Sequence, residues 1–174
     1  WSRERHMCIF IGPARTTREV SKVCELRYRV YVEELQIPTP EADHESRWIR
    51  DRVEDNSLSF AAWKDGEAIG SLRLTCLSDL PDPQKQLARM HMHPAFGAFG
   101  LDAICTTSRF MLDPRIRNGR LIYPLMKAVY DHARHRGIRL NYGDCSPHHL
   151  PFYQHLGFRI YERGFDDPAY GYKV

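Results

Sequence analysis

The sequence lacks long apolar runs, a secretory leader and an excess of charge of either sign. Its longest apolar stretches, such as Met7 to Ile11, are far shorter than the roughly 20 residues that a membrane-spanning helix needs. The 25 Lys and Arg residues against 22 Asp and Glu give a net charge of +3 that is spread along the chain. This pattern disfavours nucleic acid as a partner. We therefore expect a soluble, cytoplasmic protein with no membrane span.

A disulfide framework and a recognisable metal motif are also missing. The cysteines are odd in number and widely spaced, so we expect buried free thiols. The histidine pairs His91/His93 and His148/His149 do not form an HExxH helix, and no carboxylate or cysteine completes a set at ligand spacing. We expect no metal site.

The chain contains enough apolar sequence for one ordinary domain. Its 174 residues are 43% hydrophobic and 27% charged, and there is no repeat or linker. Residues 1–174 are therefore interpreted as a single α/β domain.

Apolar patterning and turn residues predict an alternation of strands and helices. A strand at Met7 to Ile11 precedes a helix that begins after Thr16, with Glu19 at capping-box spacing, and ends near Gln36 before two prolines. The Asp65-Gly66 dipeptide predicts a hairpin. The proline-rich excursion Ser78 to Asp102 predicts at most a short helix. The remaining predicted elements are hairpin strands Leu58 to Lys64 and Glu67 to Cys76, strand Ala103 to Leu112, helix Leu121 to Arg136, strand Arg139 to Asp144, helix Leu150 to Leu156 and strand Phe158 to Arg163.

The second half of the chain resembles the GNAT-fold acyltransferases. A strand, an Arg- and Gly-bearing loop, a helix, a strand and a short helix occur in that order, and Phe152 to Phe158 reads FYQHLGF, similar to the FYxxxGF signature of that family. The resemblance implies a mixed, mostly antiparallel sheet flanked by helices. It also implies that the Tyr153 hydroxyl protonates the thioester sulfur. The alternative is that Tyr153 belongs to the core, with its hydroxyl bonded there.

The loop before the predicted helix departs from the usual diphosphate-binding pattern, because Ile116 and Leu121 occupy two of its key positions. This favours an acyl-phosphopantetheine on an acyl carrier protein as co-substrate over acyl-CoA, with no tightly bound cofactor. The loop arginines would then meet the phosphate and the acidic carrier; the alternative is that they are only solvated. The candidate carrier-binding residues are Arg115, Arg117, Asn118, Gly119 and Arg120.

A second resemblance covers motifs in both halves of the chain. Arg27, Tyr31, Asp55, Arg73 and the run Ser108-Arg109-Phe110 resemble motif positions of the acyl-homoserine-lactone synthases and of the related long-chain N-acyl amino acid synthases of the FeeM type. Three family positions differ, since an aspartate, a tryptophan and a glutamate are replaced by Arg52, Ile37 and Thr106. These replacements count against a lactone synthase and less against an amino-acid acylase.

The chemistry of such an acylation supports an amino-acid acceptor. The acceptor carboxylate needs a cation, and a guanidinium is a bidentate partner for it. Arg27, Arg73 and Arg109 lie in mostly apolar sequence, so each should pair with a carboxylate. The alternative is that Asp55, Glu33 or Glu34 are those partners and the cluster is scaffold.

We predict an N-acyltransferase that moves a long-chain fatty acyl group from acyl carrier protein to the amine of an amino acid. A lactone-type autoinducer synthase, an acetyl-CoA-dependent acetyltransferase and a catalytically silent binding module remain alternatives. The general base is left open between Glu34, Asp55, Asp144, a backbone carbonyl and water, and Cys145 is interpreted as a buried thiol. The predicted catalytic residues are Tyr153, Asp55 and Glu34. The predicted substrate-binding residues are Arg27, Tyr31, Arg73, Thr106, Ser108, Arg109, Phe110, Phe96 and Phe99, of which the last two should cover the acyl chain.

Overall fold

The computed structural model describes residues 8–92, 98–116, 121–162, 164–167 and 172–173. In chain order the elements are β1 Phe10–Pro13, α1 Thr17–Tyr28, β2 Ala42–Asp43, β3 Trp48–Ile49, β4 Leu58–Lys64, β5 Glu67–Cys76, α2 Pro83–Arg89, β6 Ile104–Leu112, α3 Ile122–His135, β7 Leu140–Tyr142, α4 Leu150–His155, β8 Asp166–Asp167 and β9 Tyr172–Lys173. A five-stranded sheet in the order β1-β4-β5-β6-β7 forms the centre, antiparallel except for the parallel β6–β7 pair. The expected mixed, mostly antiparallel α/β architecture is confirmed.

The β4–β5 hairpin has the predicted strand bounds. Both turn residues, Asp65 and Gly66, have positive φ angles of 52° and 80°, as a two-residue turn that matches the twist of its strands requires. The ladder runs from Lys64↔Glu67 to Leu58↔Leu74.

Helix α1 begins with the predicted capping box. Thr16 Oγ1 accepts from the Glu19 amide at 3.2 Å, and Glu19 Oε2 accepts from the Thr16 amide at 2.8 Å. After Tyr28 the helix continues as a π-helix over Arg29–Glu34. The chain leaves the helical region at Gln36, whose φ is 51°, which agrees with the predicted end.

The two faces of the sheet are covered by α1 and α3. Val23, Leu26 and Val30 of the N-terminal helix pack with Ala61 and Ala68 on one face. On the other face the apolar stripe of α3 packs against β4 and β5; these residues are Leu125, Val129, Ala133, Phe60, Leu72 and Leu74. Pro124 lies in the first turn of α3, where a proline leaves no intrahelical hydrogen bond unmade.

Strand β6 carries a β-bulge at its centre. Ser71 pairs with Met111 and Arg73 with Ser108, so that Arg109 and Phe110 together oppose a single residue of β5. Arg109 has a φ of 55°, a backbone conformation that is costly for any residue other than glycine. The bulge changes the direction in which the Arg109 side chain points.

Some sequence-based expectations need correction. Residues 158–162 form no strand, because Phe158 instead packs its ring against Tyr153; Arg163 lies outside the described residues. The small β2–β3 hairpin was not predicted. Cys24, Cys76 and Cys105 are buried free thiols as expected, whereas Cys8 is exposed and Cys145 half-buried. In the described ranges, no helix is both long and apolar enough to span a membrane.

Candidate active site

A cleft opens where β6 and β7 stop pairing. The parallel pair extends only from Ile104↔Leu140 to Thr106↔Tyr142, while β6 continues to Leu112. The cleft has a volume of about 1600 Å³, larger than the roughly 300–1,000 Å³ of typical ligand pockets. It is lined by residues within the segments 30–41, 50–56, 73–75, 80–89, 106–112 and 144–153, together with Ile122.

One side of the cleft carries a network of three arginines and three carboxylates. Its members come from α1, from the loops before and after β2–β3, and from the central strands. Three positive and three negative formal charges cancel, and each guanidinium bonds at least one carboxylate. The six side chains are Arg27, Arg73, Arg109, Glu41, Asp51 and Glu54.

The Arg27–Glu54 pair lies beneath the cleft. Arg27 Nη2 donates to Glu54 Oε1 at 3.1 Å and to Ser59 Oγ at 2.8 Å, and Arg27 Nη1 donates to Glu54 Oε2. Desolvation would raise the Glu54 pKa, but the charges and hydrogen bonds of Arg27 and Arg73 outweigh it and lower that pKa. This pair therefore stays ionised and supports the residues above it.

Asp51 connects the two strand arginines. Its Oδ1 accepts from Arg73 Nη1 at 2.6 Å and its Oδ2 from Arg109 Nη2 at 2.9 Å. Burial would raise the Asp51 pKa, but these two guanidinium groups hold it far below its ordinary range. Asp51 is therefore a fixed anion and a poor proton acceptor at neutral pH.

Arg109 is positioned by its backbone and by three side chains. The bulge presents its guanidinium to the cleft, where the carbon Cζ lies 5.3 Å from the centre of the Tyr31 ring. Its Nη2 donates to Asp51 and, at 2.6 Å, to Oε1 of Glu41. Tyr31 itself belongs to the π-helix, an irregularity that is frequent at functional sites.

Tyr153 faces the cleft from α4. Gly157, with a φ of 92°, ends this helix and lets the chain reverse, so that Phe158 packs edge-on to the Tyr153 ring at 5.5 Å. Burial raises the pKa of the Tyr153 hydroxyl, with smaller contributions from Cys145 and Asp144. Tyr153 therefore holds its proton throughout the physiological pH range, as a general acid must.

The segment between β7 and α4 supplies further polar groups to the cleft. Asp144 Oδ2 accepts from Arg89 Nη1 of α2 at 3.3 Å. His149 Nδ1 lies 3.0 Å from Ser146 Oγ. Burial, followed by the charge of His148, lowers the pKa of His149 below its ordinary value. Its imidazole is therefore neutral at pH 7.

Seven of the twelve predicted site residues that lie in the described ranges line this cleft. Asp55 is 74% exposed at its side chain and pairs with Arg50, and Glu33 pairs with Arg47. The site arginines pair with carboxylates as expected, but these are the network carboxylates and not the alternative partners Asp55 and Glu33. Glu34 is exposed and lines a separate pocket of about 350 Å³ with Arg29 and Arg115. The predicted residues that do line the cleft are Tyr31, Arg73, Thr106, Ser108, Arg109, Phe110 and Tyr153.

The predicted acyl-chain and carrier residues are only partly observed. Phe99 is exposed and lies 6.0 Å from Arg139, outside the cleft, while Phe96 lies outside the described residues. The excursion instead lines the cleft through Leu80 and α2. Arg115 forms two hydrogen bonds with the buried Asp113, at 2.8 and 2.6 Å. The described ranges do not include Arg117, Asn118, Gly119 and Arg120.

The three network carboxylates Glu41, Asp51 and Glu54 were not predicted from the sequence. The resemblance placed an acidic pair at positions 52 and 55, but the structure has carboxylates with the same spacing at 51 and 54. A one-residue shift would have found them. Among the described residues, no three His, Cys, Asp or Glu side chains converge to hold a metal ion.

The diverging β6 and β7 strands, the bulge and the tyrosine on the short helix define an acyltransferase with the GNAT fold. An acyl-CoA N-acyltransferase from Pseudomonas aeruginosa has this fold, with a TM-score of 0.60 at 18% identity over 91% of each chain. Within this class, the chain belongs to the N-acyl amino acid synthase FeeM family, whose profile matches residues 22–174.

Two further solved structures, whose printed names give an activity, share this fold. FeeM, an N-acyl amino acid synthase from uncultured soil microbes, superposes with a TM-score of 0.71 at 12% identity and covers 98% of this chain and 88% of its own. BjaI, a CoA-dependent acyl-homoserine lactone synthase, gives 0.63 at 19% identity, over 88% of this chain and 73% of its own. At these identities the likeness shows the fold alone. No curated protein matches the chain.

Proposed function

We propose that this acyltransferase moves a long-chain fatty acyl group from an acyl carrier protein to the amine of an amino acid in the cytoplasm. The observation that carries the proposal is the cleft itself, which joins a charged network to apolar walls and to a protonated tyrosine. Only a fraction of its volume is needed for an amino acid. The remainder suits a fatty chain, whose burial contributes about 0.8 kcal/mol per methylene.

The reaction joins the acceptor nitrogen to the thioester carbon. The neutral amine attacks the carbonyl carbon, the C–N bond forms and the C–S bond breaks. The nitrogen loses one proton to a base, and the leaving sulfur takes one proton from Tyr153, so the products are an amide and a thiol. The raised pKa of Tyr153 keeps its hydroxyl protonated when the thiolate forms, so the hydroxyl is available as a hydrogen-bond and proton donor to the leaving sulfur.

Arg109 is the proposed partner of the acceptor carboxylate. It faces the cleft with Tyr31 against its guanidinium, whereas Arg27 is fully buried and committed to Glu54. Arg73 acts through Asp51, which fixes the position of Arg109. We do not assign a catalytic role to Asp55 or Glu34, since neither lines the cleft.

His149 is the proposed general base. It lines the cleft one helical turn before Tyr153. With Nδ1–H donating to Ser146 Oγ, the Nε2 lone pair is free to accept a proton from the amine, directly or through water. Asp51 is held too acidic for this role by its two arginines, and Asp144 is paired with Arg89.

An acyl carrier protein is the proposed donor because the loop after β6 lacks the residues that usually surround a diphosphate. Arg115, 72% exposed at its side chain, offers a cation to the carrier surface next to that loop. Its pairing with Asp113 directs the guanidinium and does not remove it from solvent. Acyl-CoA remains the alternative co-substrate.

The test is to incubate the purified protein separately with palmitoyl acyl carrier protein, palmitoyl-CoA or acetyl-CoA, each with the twenty amino acids, and to analyse products by mass spectrometry. An N-palmitoyl amino acid formed faster from the carrier supports the proposal. Faster turnover of the CoA ester overturns the choice of donor. Transfer from acetyl-CoA alone, or no transfer, would indicate an acetyltransferase or a binding module instead.

A lactone-type synthase is the second candidate, because the acidic pair Asp51 and Glu54 is present after all. The same assay, supplemented with S-adenosylmethionine, would reveal an acyl-homoserine lactone. Formation of that lactone in place of an N-acyl amino acid would favour the lactone synthase over the proposed function.

A further inference from the structure

We infer that Glu41 occupies the position on Arg109 at which the carboxylate of the amino-acid acceptor binds, so that Glu41 sets the affinity for the acceptor. This inference rests on the proposed function and extends it to a residue that no motif suggested. It is carried by the contrast between the two carboxylates that share one nitrogen of Arg109.

The first carboxylate, Asp51, is fixed. It bonds two guanidinium groups, and its Oδ1 also accepts from the Val53 amide at 3.2 Å. Displacing Asp51 would leave Arg73 and a backbone amide without this partner in a mostly buried setting, which is costly.

The second carboxylate, Glu41, is held loosely. Its side chain is 33% exposed at the rim of the cleft, and within the described ranges Arg109 is its one partner. The Arg109 side chain is only 8% exposed, but Asp51 still compensates its charge when Glu41 leaves, and the Glu41 carboxylate returns to solvent at the rim. The pair with Glu41 therefore contributes little to stability. Glu41 can therefore leave Arg109 at small cost, while Asp51 and Tyr31 keep the guanidinium in place.

The loop that carries Glu41 forms a wall of the cleft. Leu35, Ile37, Pro38 and Thr39 line the cleft beside it, and the loop is joined to the π-helix by a hydrogen bond from the Ile37 amide to the Tyr31 carbonyl at 2.9 Å. A carboxylate on Arg109 in place of Glu41 would therefore lie between the charged network and this apolar wall. That is the arrangement an amino acid with its amine toward a fatty thioester requires.

Exchange of one carboxylate for another changes neither the charge nor the hydrogen-bond count at Arg109. The tethered Glu41 competes at an effective concentration on the order of millimolar, so a free amino acid binds only in proportion to its own concentration. Removing the charge of Glu41 should then strengthen acceptor binding. If Glu41 instead held the acceptor amine, its removal would weaken binding. The two roles predict opposite signs.

The experiment compares acceptor KM and kcat for the wild type, Glu41→Gln, Glu41→Ala and the control Glu45→Gln, which alters an exposed acid near β2. The acceptor is the amino acid that the wild type acylates fastest, together with its methyl ester. We expect both Glu41 variants to lower KM for the free acid about fivefold, with kcat nearly unchanged and no gain for the ester. Glu45→Gln should match the wild type.

An unchanged or raised KM for the free acid, or an equal gain for acid and ester, would overturn the inference while leaving the proposed function intact. Absence of any N-acyl amino acid with the wild type would overturn both. Thermal unfolding of each variant checks that the fold is preserved.

Discussion

Arg27 and Glu54 form a two-point ion pair with both side chains almost fully excluded from solvent, at exposures of 0% and 3%. Glu54→Ala would leave a buried guanidinium without its main partner, so we expect a loss of about 3–5 kcal/mol in the free energy of unfolding. Urea denaturation measures this loss. Asp55→Ala removes an exposed acid at the next position and should change stability by less than about 0.5 kcal/mol. Similar losses in both variants would contradict a special role for the buried pair.

The lowered carboxylate pKa values predict acid sensitivity. In Asp51 and Glu54, desolvation is outweighed by the neighbouring arginines, so both folded-state pKa values lie below the ordinary ones. The stability that these two carboxylates give to the fold is therefore fully present at pH values above their unfolded-state pKa values, near 4. It is lost as the pH falls through their lower folded-state pKa values. Unfolding free energy measured between pH 7 and pH 2 should fall on the acid side. The slope should be shallower in Asp51→Asn, and an unchanged slope would refute this coupling.

Removing the Tyr153 hydroxyl should lower the rate of acyl transfer. Tyr153→Phe keeps the ring contacts with Phe152 and Phe158 but deletes the proton donor, so we expect kcat to fall by about 10²–10⁴ with KM little changed. Tyr130→Phe, which deletes an exposed hydroxyl on α3, serves as the control. A Tyr153→Phe variant with wild-type kcat would assign the hydroxyl to the scaffold.

The pH profile of kcat should report His149. A base must be unprotonated, and burial together with His148 lowers the His149 pKa below 6.5, so kcat should decrease only as the pH falls below that value. His149→Gln should lower kcat about a hundredfold and remove this acid limb. His148→Gln should keep the activity and move the limb to higher pH, because a neighbouring positive charge is gone. A limb that persists in His149→Gln would point to another base.

The part of the cleft wall that contacts the fatty acyl chain can be tested by enlarging a side chain there. Leu80 lines the cleft, whereas Phe99 is exposed outside it, so Leu80→Trp should shorten the preferred fatty acyl group and Phe99→Leu should leave it unchanged. Competition among carrier-bound C8 to C16 donors, followed by mass spectrometry of the products, measures the preference. If Leu80→Trp leaves the preferred acyl length unchanged, the acyl chain contacts a different wall of the cleft.

The parts of the fold that could be predicted from sequence are those fixed by local chemistry. Asp65-Gly66 determines a turn, and Thr16 with Glu19 determines a helix start, through interactions between near neighbours. The conformation of the run FYQHLGF is also determined locally, because the positive φ of Gly157 reverses the chain and brings the Phe158 ring against the Tyr153 ring.

The parts that could not be predicted depend on distant contacts. Glu41, Asp51 and Glu54 lie in a charged segment without helical or strand periodicity, so nothing local distinguishes them from solvated acids. Their partners are 19 to 68 positions away. The bulge at Arg109 carries no glycine as a signal, and its positive φ follows from the register between β5 and β6.

The charge balance of the network constrains how this sequence can diverge. Loss of one of the mostly buried members leaves an uncompensated charge, so tolerated changes at positions 27, 54, 73, 51 and 109 must come in compensating pairs. These positions should covary in total charge more strongly than in residue type, whereas position 41, at the exposed rim of the cleft, lies outside this constraint. A shift of the acidic pair by one sequence position leaves the total charge of the network unchanged, so this constraint permits it. We therefore expect distant members of the family to be recognised better by the summed charge of these positions than by any fixed motif.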